Sequence, residues 1–223
     1  MSLSVLNRLS VSALGCLVVL LLSIAGGYAQ RNLMPGWEDP RYRQADTGAN
    51  EPELSQAEKD VIFYTNLWRM NPRLYFDTYI QRFIQSTGLD PKSKYVTTLK
   101  AEAAKQKPLG ILKPAACLYA TATRHAKDMG SAGKIGHTTS KGENVLGLIR
   151  KSCKNGELFV GQNCSYGITD PADIVSDLLV DEGIPNFGHR RNFQSEVFTH
   201  IGVGIQPHKT YRTNVVIDFA QLP

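Results

Sequence analysis

The sequence predicts an α+β fold in which helices pack on a small antiparallel sheet. Three observations lead there. Apolar residues recur at helical spacing through residues 55–129, strand-like runs come late (158–166, 200–206 and 214–219), and no internal repeat or change of composition divides the two regions.

The first helix is expected to start at Ser55, because Ser55 and Glu58 have capping-box spacing and Val61, Tyr64, Leu67 and Trp68 follow at helical intervals up to Asn71-Pro72. Pro72 opens a second helix through Leu74, Tyr75, Tyr79, Phe83 and Ile84, which Gly88 and Asp90-Pro91 stop. A weaker third reaches Gln106. Residues 114–129 are rich in alanine, with Pro114 at a first helical position and Gly130 just past the expected end. Asp170-Pro171 starts another helix, a cap followed by proline, with Asp173 in the first turn. Its apolar face is Ile174, Val175, Leu178 and Leu179, and Glu182 extends that face at three and four residues' spacing. The last two strands are expected to form a hairpin turning at Pro207.

Residues 1–29 have the order of a signal peptide: Arg8, an apolar run over 14–24 that is short for a membrane span, then Gly27 and Ala29 three and one places before a cut ahead of Gln30. A retained anchor is the alternative. Export implies a secreted or periplasmic protein. Cleavage removes Arg8 and no acidic residue, leaving 24 Lys plus Arg against 20 Asp plus Glu. This mild basicity lacks the clustered cations with interleaved aromatics of a nucleic-acid surface, so nucleic acid is excluded as a partner. Nothing after residue 30 reads as a membrane span. Residues 30–54 are polar, with Pro35, Pro40 and Pro52 and no hydrophobic period, and read as a tail ahead of a single domain over 55–221. Cys153 and Cys164 flank a Lys/Asn/Gly turn and are the candidate disulfide of an oxidising compartment, worth about 3 kcal/mol in the chain-entropy picture. Cys117, in an apolar helical stretch, is expected to be a buried free thiol.

Over residues 55–221 the chain resembles, piece by piece and in order, the CAP superfamily of cysteine-rich secretory and pathogenesis-related 1 proteins. Asn66 and Arg69 resemble its first-helix pattern, with Thr65 where a histidine is common. Residues 118–129 and Gly136-His137-Thr138 resemble its alanine-rich helix and the segment after it. The run Gly161-Gln162-Asn163-Cys164-Ser165-Tyr166-Gly167 is similar to its Gly-Glu-Asn motif. Gly188-His189-Arg190-Arg191-Asn192-Phe193 and Ile201-Gly202-Val203-Gly204-Ile205 resemble the His-Arg turn and next strand of bacterial members. A literal Gly142-Glu143-Asn144 lacks the tail of the motif and is read as a decoy.

The resemblance implies a three-layer α-β-α sandwich with a cleft of two histidines and two acidic residues, mapping here onto His137, Gln162, Glu182 and His189. Gln162 stands where the family has glutamate. Two neutral imidazoles bind a borderline cation such as zinc, so His137 and His189 are the candidate metal ligands and Glu182 the candidate catalytic carboxylate. Exchanging a carboxylate for Gln162 removes a charge and a general base, and keeps a donor and an acceptor. Three readings stay open: a non-enzymatic exported module binding a small or apolar ligand or a divalent metal, a metal-assisted hydrolase using Glu182, and a structural or partner-binding domain with an inert cleft that meets an extracellular protein. Gln162 counts against the second, and the retained histidines count against the third. Of the other polar residues, His125 reads as a core or boundary side chain, His200 as a strand-opening residue with an accessory role in the cleft as the lesser alternative, and His208 as exposed. Arg190 and Arg191 read as partners of acidic neighbours or carbonyls, and Asn163 as a bond to its own turn.

Overall fold

The computed structural model describes residues 31, 33–153 and 159–223. The chain divides into the units Met1–Arg31 and Asn32–Pro223, and every element named below belongs to the second. The expected signal peptide lies outside the described residues, as does Leu158 at the start of the first expected strand.

Helix α1 (Gln56–Met70) begins at the expected capping box, where Ser55 N–H donates to Glu58 Oε2 at 2.8 Å. The other Glu58 oxygen accepts the backbone N–H of Ile205 at 3.0 Å, so this buried cap also ties α1 to the sheet. Proline opens α2 (Pro72–Tyr75), which runs through a π-helical turn over Phe76–Ile80 into α3 (Gln81–Thr87), closed by Gly88 in the left-handed conformation. Next come α4 (Lys94–Lys105), β1 (Lys113–Pro114), α5 (Ala116–Ala132), α6 (Val145–Ser152), β2 (Val160–Tyr166), α7 (Pro171–Val180), α8 (Gly188–Gln194), β3 (His200–His208) and β4 (Arg212–Ala220).

The strands lie in the order β1-β3-β4-β2. Alternation along β4 separates the layers. Val215, Ile217 and Phe219 join the main core with Val61, Leu67 and Trp68 of α1 and Ile174, Val175 and Leu179 of α7. Val216, Asp218 and Ala220 face the other way, onto α5 and α6. The outcome is the α-β-α sandwich, with one correction: the sheet is mixed, because β1 runs parallel to β3 through Lys113↔His200 and Pro114↔Ile201.

Several boundaries move for physical reasons. Pro114 sits in β1 and not in a helix, and α5 continues through Gly130 to Ala132, ending at Gly133 in the left-handed region. Gly130 is needed mid-helix because a side chain there would overlap the carbonyl of Pro207. Pro207 itself lies inside β3, and the hairpin turns over 209–211, with Arg212 at φ 67. His208 is therefore buried and not exposed: its Nδ1 accepts the N–H groups of Thr210 and Tyr211, and Nε2 bonds the Lys134 carbonyl at 2.9 Å. The expected tail is built into the fold. Trp37 and Tyr42 are buried, Trp37 packing on both Tyr42 and Tyr75, and the Trp37 indole donates to Thr78. Aromatic anchors divided between a loop at Trp37 and a short 3-10 helix over Pro40–Ala45 leave no long period to read.

The disulfide joins Cys117 to Cys153, with Cα atoms 5.3 Å apart, and Cys164 is the free, buried cysteine. Helix α6, which the sequence pattern does not reveal, is the reason. It packs Val145 and Ile149 on Leu118 of α5, which brings Cys153 at its C-terminal cap to the first turn of α5. Cys164 points from mid-β2 onto Ala122 and Ala126 instead. Across a separation of 36 residues the bond is expected to contribute roughly 2–4 kcal/mol. Cys117→Ser should lower stability by that amount in denaturant titrations, and dithiothreitol should lower the wild type equally. A variant as stable as the wild type would refute the assignment.

Candidate functional site

The motif-like polar residues of α1 prove to be fasteners. Asn66 is buried and donates to the carbonyls of Ala45 and Leu112 while accepting the N–H of Leu112. The Arg69 guanidinium reaches the carbonyls of Gly110, Phe193 and Ser195, and burial lowers its pKa to about 10, so it remains a cation at neutral pH. Arg190 does the same under α7, donating to the carbonyls of Leu179, Val180 and Tyr95 and to Glu102.

His137 and His189 meet at the free edge of β2. His137 stands exposed in the loop after α5, and His189 lies on α8, its side chain 20% exposed. Their ring centroids are 6.0 Å apart. Asn163 of β2 fixes α8 there: its Nδ2 donates to the His189 carbonyl at 3.0 Å and its Oδ1 accepts from Asn192 at 2.7 Å. It thus bonds a different element from the turn expected.

Behind each imidazole is an anchor. His137 Nδ1 is 3.0 Å from Gln162 Oε1. Gln162 Nε2 donates to Asp218 Oδ1 at 2.8 Å, and Thr121 donates to Asp218 Oδ2 at 2.6 Å. Asp218, directly across from Gln162 in the β2–β4 register, is wholly buried, and burial raises its pKa to about 7 against the smaller pull of Thr121, Gln162 and Arg124. The motifs do not point to it, although a lone aspartate in the apolar run 214–220 is itself a signal. Cys164 Sγ lies 3.7 Å from His137 Nδ1, but burial lifts its thiol to about 12 and keeps it neutral.

His189 is anchored by Asp181, not by Glu182. Nδ1 is 2.7 Å from Asp181 Oδ1, and Asp181 Oδ2 accepts the N–H groups of His189 and Arg190. Helix α7 ends at Val180 and Asp181 takes the left-handed conformation, so the helical face that would have carried Glu182 stops one residue short of it. Glu182 is exposed. Asp177, one turn before Asp181, is likewise unmarked by any motif. Burial lifts it to about 6, with His189 drawing it down and Asp181 and Glu182 pushing it up.

The other candidates fall elsewhere. His125 is buried, its Nε2 on the Gly136 carbonyl. His200 bonds Thr199 and lines a groove with Arg69, Lys113 and Glu196 that includes neither His137 nor His189. In the segment read as a decoy, Asn144 caps α6 through the Gly147 N–H and Glu143 accepts from Thr139.

A zinc site built by protein takes three or four ligands. Here Asp181 is engaged by His189, the Gln162 carbonyl faces His137, and no cluster of three or more His, Cys, Asp or Glu among the described residues is placed to hold a metal. The donor set fits two imidazoles and no more.

The family model for the cysteine-rich secretory protein family, CAP, matches residues 62–219. The chain belongs to the CAP family. Solved structures similar to this CAP chain include an extracellular protein containing an SCP domain from Bacillus anthracis (19% identity, 66% of this chain and 41% of that one, TM-score 0.41). An outer surface protein from Borrelia burgdorferi is 20% identical over 60% of this chain and 97% of that one, with TM-score 0.44. A cysteine-rich secretory protein from Staphylococcus aureus is 14% identical over 68% and 39%, with TM-score 0.38. The CAP chain spans less than half the length of the Bacillus and Staphylococcus proteins it matches. A comparison with curated proteins gives no match. Among the described residues no helix is long and apolar enough to cross a membrane.

Proposed function

We propose that this CAP chain is an exported, non-enzymatic module whose His137–His189 cleft binds a ligand through two imidazole lone pairs. The observation that carries this reading is the buried Asp218 behind Gln162. Asp218 receives the Gln162 amide nitrogen, which turns the Gln162 carbonyl oxygen toward His137. That oxygen only accepts, so His137 holds its proton on Nδ1 and keeps the Nε2 lone pair. The Asp181 carboxylate imposes the same tautomer on His189. The free acceptors of both rings suit a ligand with a hydroxyl or amine donor. Ile135, 56% exposed, and Ile184, 36% exposed, stand in the loops that lead to the two histidines and favour an apolar body for it. Export rests on the signal-peptide order of residues 1–29.

Nitrogen spectra of the two imidazoles test the reading directly. Both rings are expected to be protonated on Nδ1 and bare on Nε2 at pH 8, and the opposite tautomer on either would overturn it. Two imidazoles fall short of the three or four protein ligands of a zinc site, so the divalent-ion reading is the lesser one. Were it right, zinc added to chelator-stripped protein would raise the melting temperature, and His137→Ala with His189→Ala would abolish the rise. An unchanged melting temperature at saturating zinc would remove the metal from the proposal. Exposure of Glu182 and the neutral Gln162 weigh against a hydrolase; turnover of a peptide or ester that Glu182→Gln abolishes would restore it.

A further inference from the structure

We propose that a pocket between α5 and the loop leading into α6 is a second binding site, for a free α-amino acid with an aliphatic side chain. Its volume is ≈ 220 Å³ and none of His137, Gln162, Glu182 and His189 lines it, although Thr121 and Arg124 of its wall also act on Asp218 behind Gln162. A single water needs only about 10–15 Å³ on this measure, and drug-sized sites start near ~300 Å³. The space suits a small molecule.

The lining carries charge of both signs in equal number: Arg124 and Lys141 against Asp128 and Glu143. A simple anion would meet two carboxylates there and a simple amine two cations, whereas a zwitterion is opposed by neither. The free valences also divide by sign. Arg124 and Lys141 are exposed and make no hydrogen bond or ion pair among the described residues, which leaves both open to a carboxylate. Asp128 is committed on both oxygens to the N–H and hydroxyl of Ser140. Glu143 holds the Thr139 hydroxyl through Oε2, leaving Oε1 for an ammonium. His125 also lines the pocket, with Nε2 on the Gly136 carbonyl and Nδ1 buried and unpartnered. The pocket reaches the first turn of α6, whose amide ends favour a carboxylate, and Val145 and Leu148 provide the apolar wall for a side chain.

Calorimetric titration of the purified, disulfide-intact protein decides the matter with three probes: leucine, N-acetylleucine with only the carboxylate, and leucinamide with only the amine. Leucine is expected to bind one to one with a dissociation constant near or below about 1 mM, and each half-ligand at least about tenfold more weakly, one lost charge contact being worth about 1.4 kcal/mol. Lys141→Gln, at an exposed position, should weaken leucine at least about tenfold without moving the melting temperature, and Arg124→Gln should weaken it similarly. His137→Ala with His189→Ala should bind leucine as the wild type does, which keeps this site separable from the cleft. The proposal is overturned by the absence of saturable leucine binding, by N-acetylleucine binding as tightly as leucine (a peptide C-terminus would then be the ligand), or by loss of binding in the histidine variant.

Discussion

Gly202→Ala is expected to cost about 4 kcal/mol or more, enough to leave the domain largely unfolded. Ordinary overpacking of a core costs about 1–3 kcal/mol because side chains shift to make room. At Gly202 a Cβ would overlap backbone atoms of Leu118 and Tyr119, and at Gly204 those of Ala122 and Thr123. Backbone of a helix cannot shift alone. Accommodation requires α5 to lift off β3, and α5 carries Thr121 and therefore the bonds that orient Asp218, Gln162 and His137. Gly147→Ala is the control: nothing lies within 4 Å of the place its Cβ would take, and alanine in α6 should be neutral or stabilising by up to about 1 kcal/mol. Guanidinium titrations followed by circular dichroism measure both. A Gly202→Ala domain within about 1 kcal/mol of the wild type would show that α5 and the sheet are not in the close contact described.

Asp218→Asn is expected to become more favourable, relative to the wild type, by about 4 kcal/mol between pH 3 and pH 8. The Asp218 carboxyl is held up to about 7 against an ordinary value of 3.8. Below 3.8 it is protonated whether the chain is folded or not, and its ionisation costs nothing. Between 3.8 and about 7 the unfolded chain releases the proton and the folded one retains it, so stability falls as pH rises. Above about 7 both states are ionised and the full difference opposes folding, at about 1.4 kcal/mol for each pH interval of one that separates the two values. The difference between wild type and variant isolates this group from Asp177 and the other carboxyls. Denaturant titrations at pH 3, 5 and 8 measure it, and a pH-independent difference would mean that Asp218 is not desolvated. The same variant tests the cleft. Asparagine can turn either oxygen or nitrogen toward Gln162, so the His137 tautomer should lose its bias even where the fold gains stability.

Legibility differs from residue to residue. The capping box at Ser55 and Glu58 and the Asp170-Pro171 cap are readable because they are local exchanges between a side chain and its own helix end, and so are the three late strands, whose alternation lies within each segment. The site is readable only in part. His137, Gln162 and His189 are found by their flanking residues. Asp181 is hidden because the apolar face of α7 extrapolates past the point where the helix stops, and Asp218 because its partner Gln162 is 56 positions away. Disulfide pairing is misread for the same reason: a turn between Cys153 and Cys164 suggests nearness, but helix α6 carries Cys153 to Cys117.

Spacing over a few residues is thus enough to give the starts of α1, α2 and α7 and the three late strands. It does not give which cysteines meet, which carboxylate stands behind each histidine, or that the segment around Trp37 and Tyr42 belongs to the core; these emerge only when the chain is folded. They depend on contacts between elements far apart in the chain, where burial and close backbone approach choose the partner and sequence distance carries almost no information.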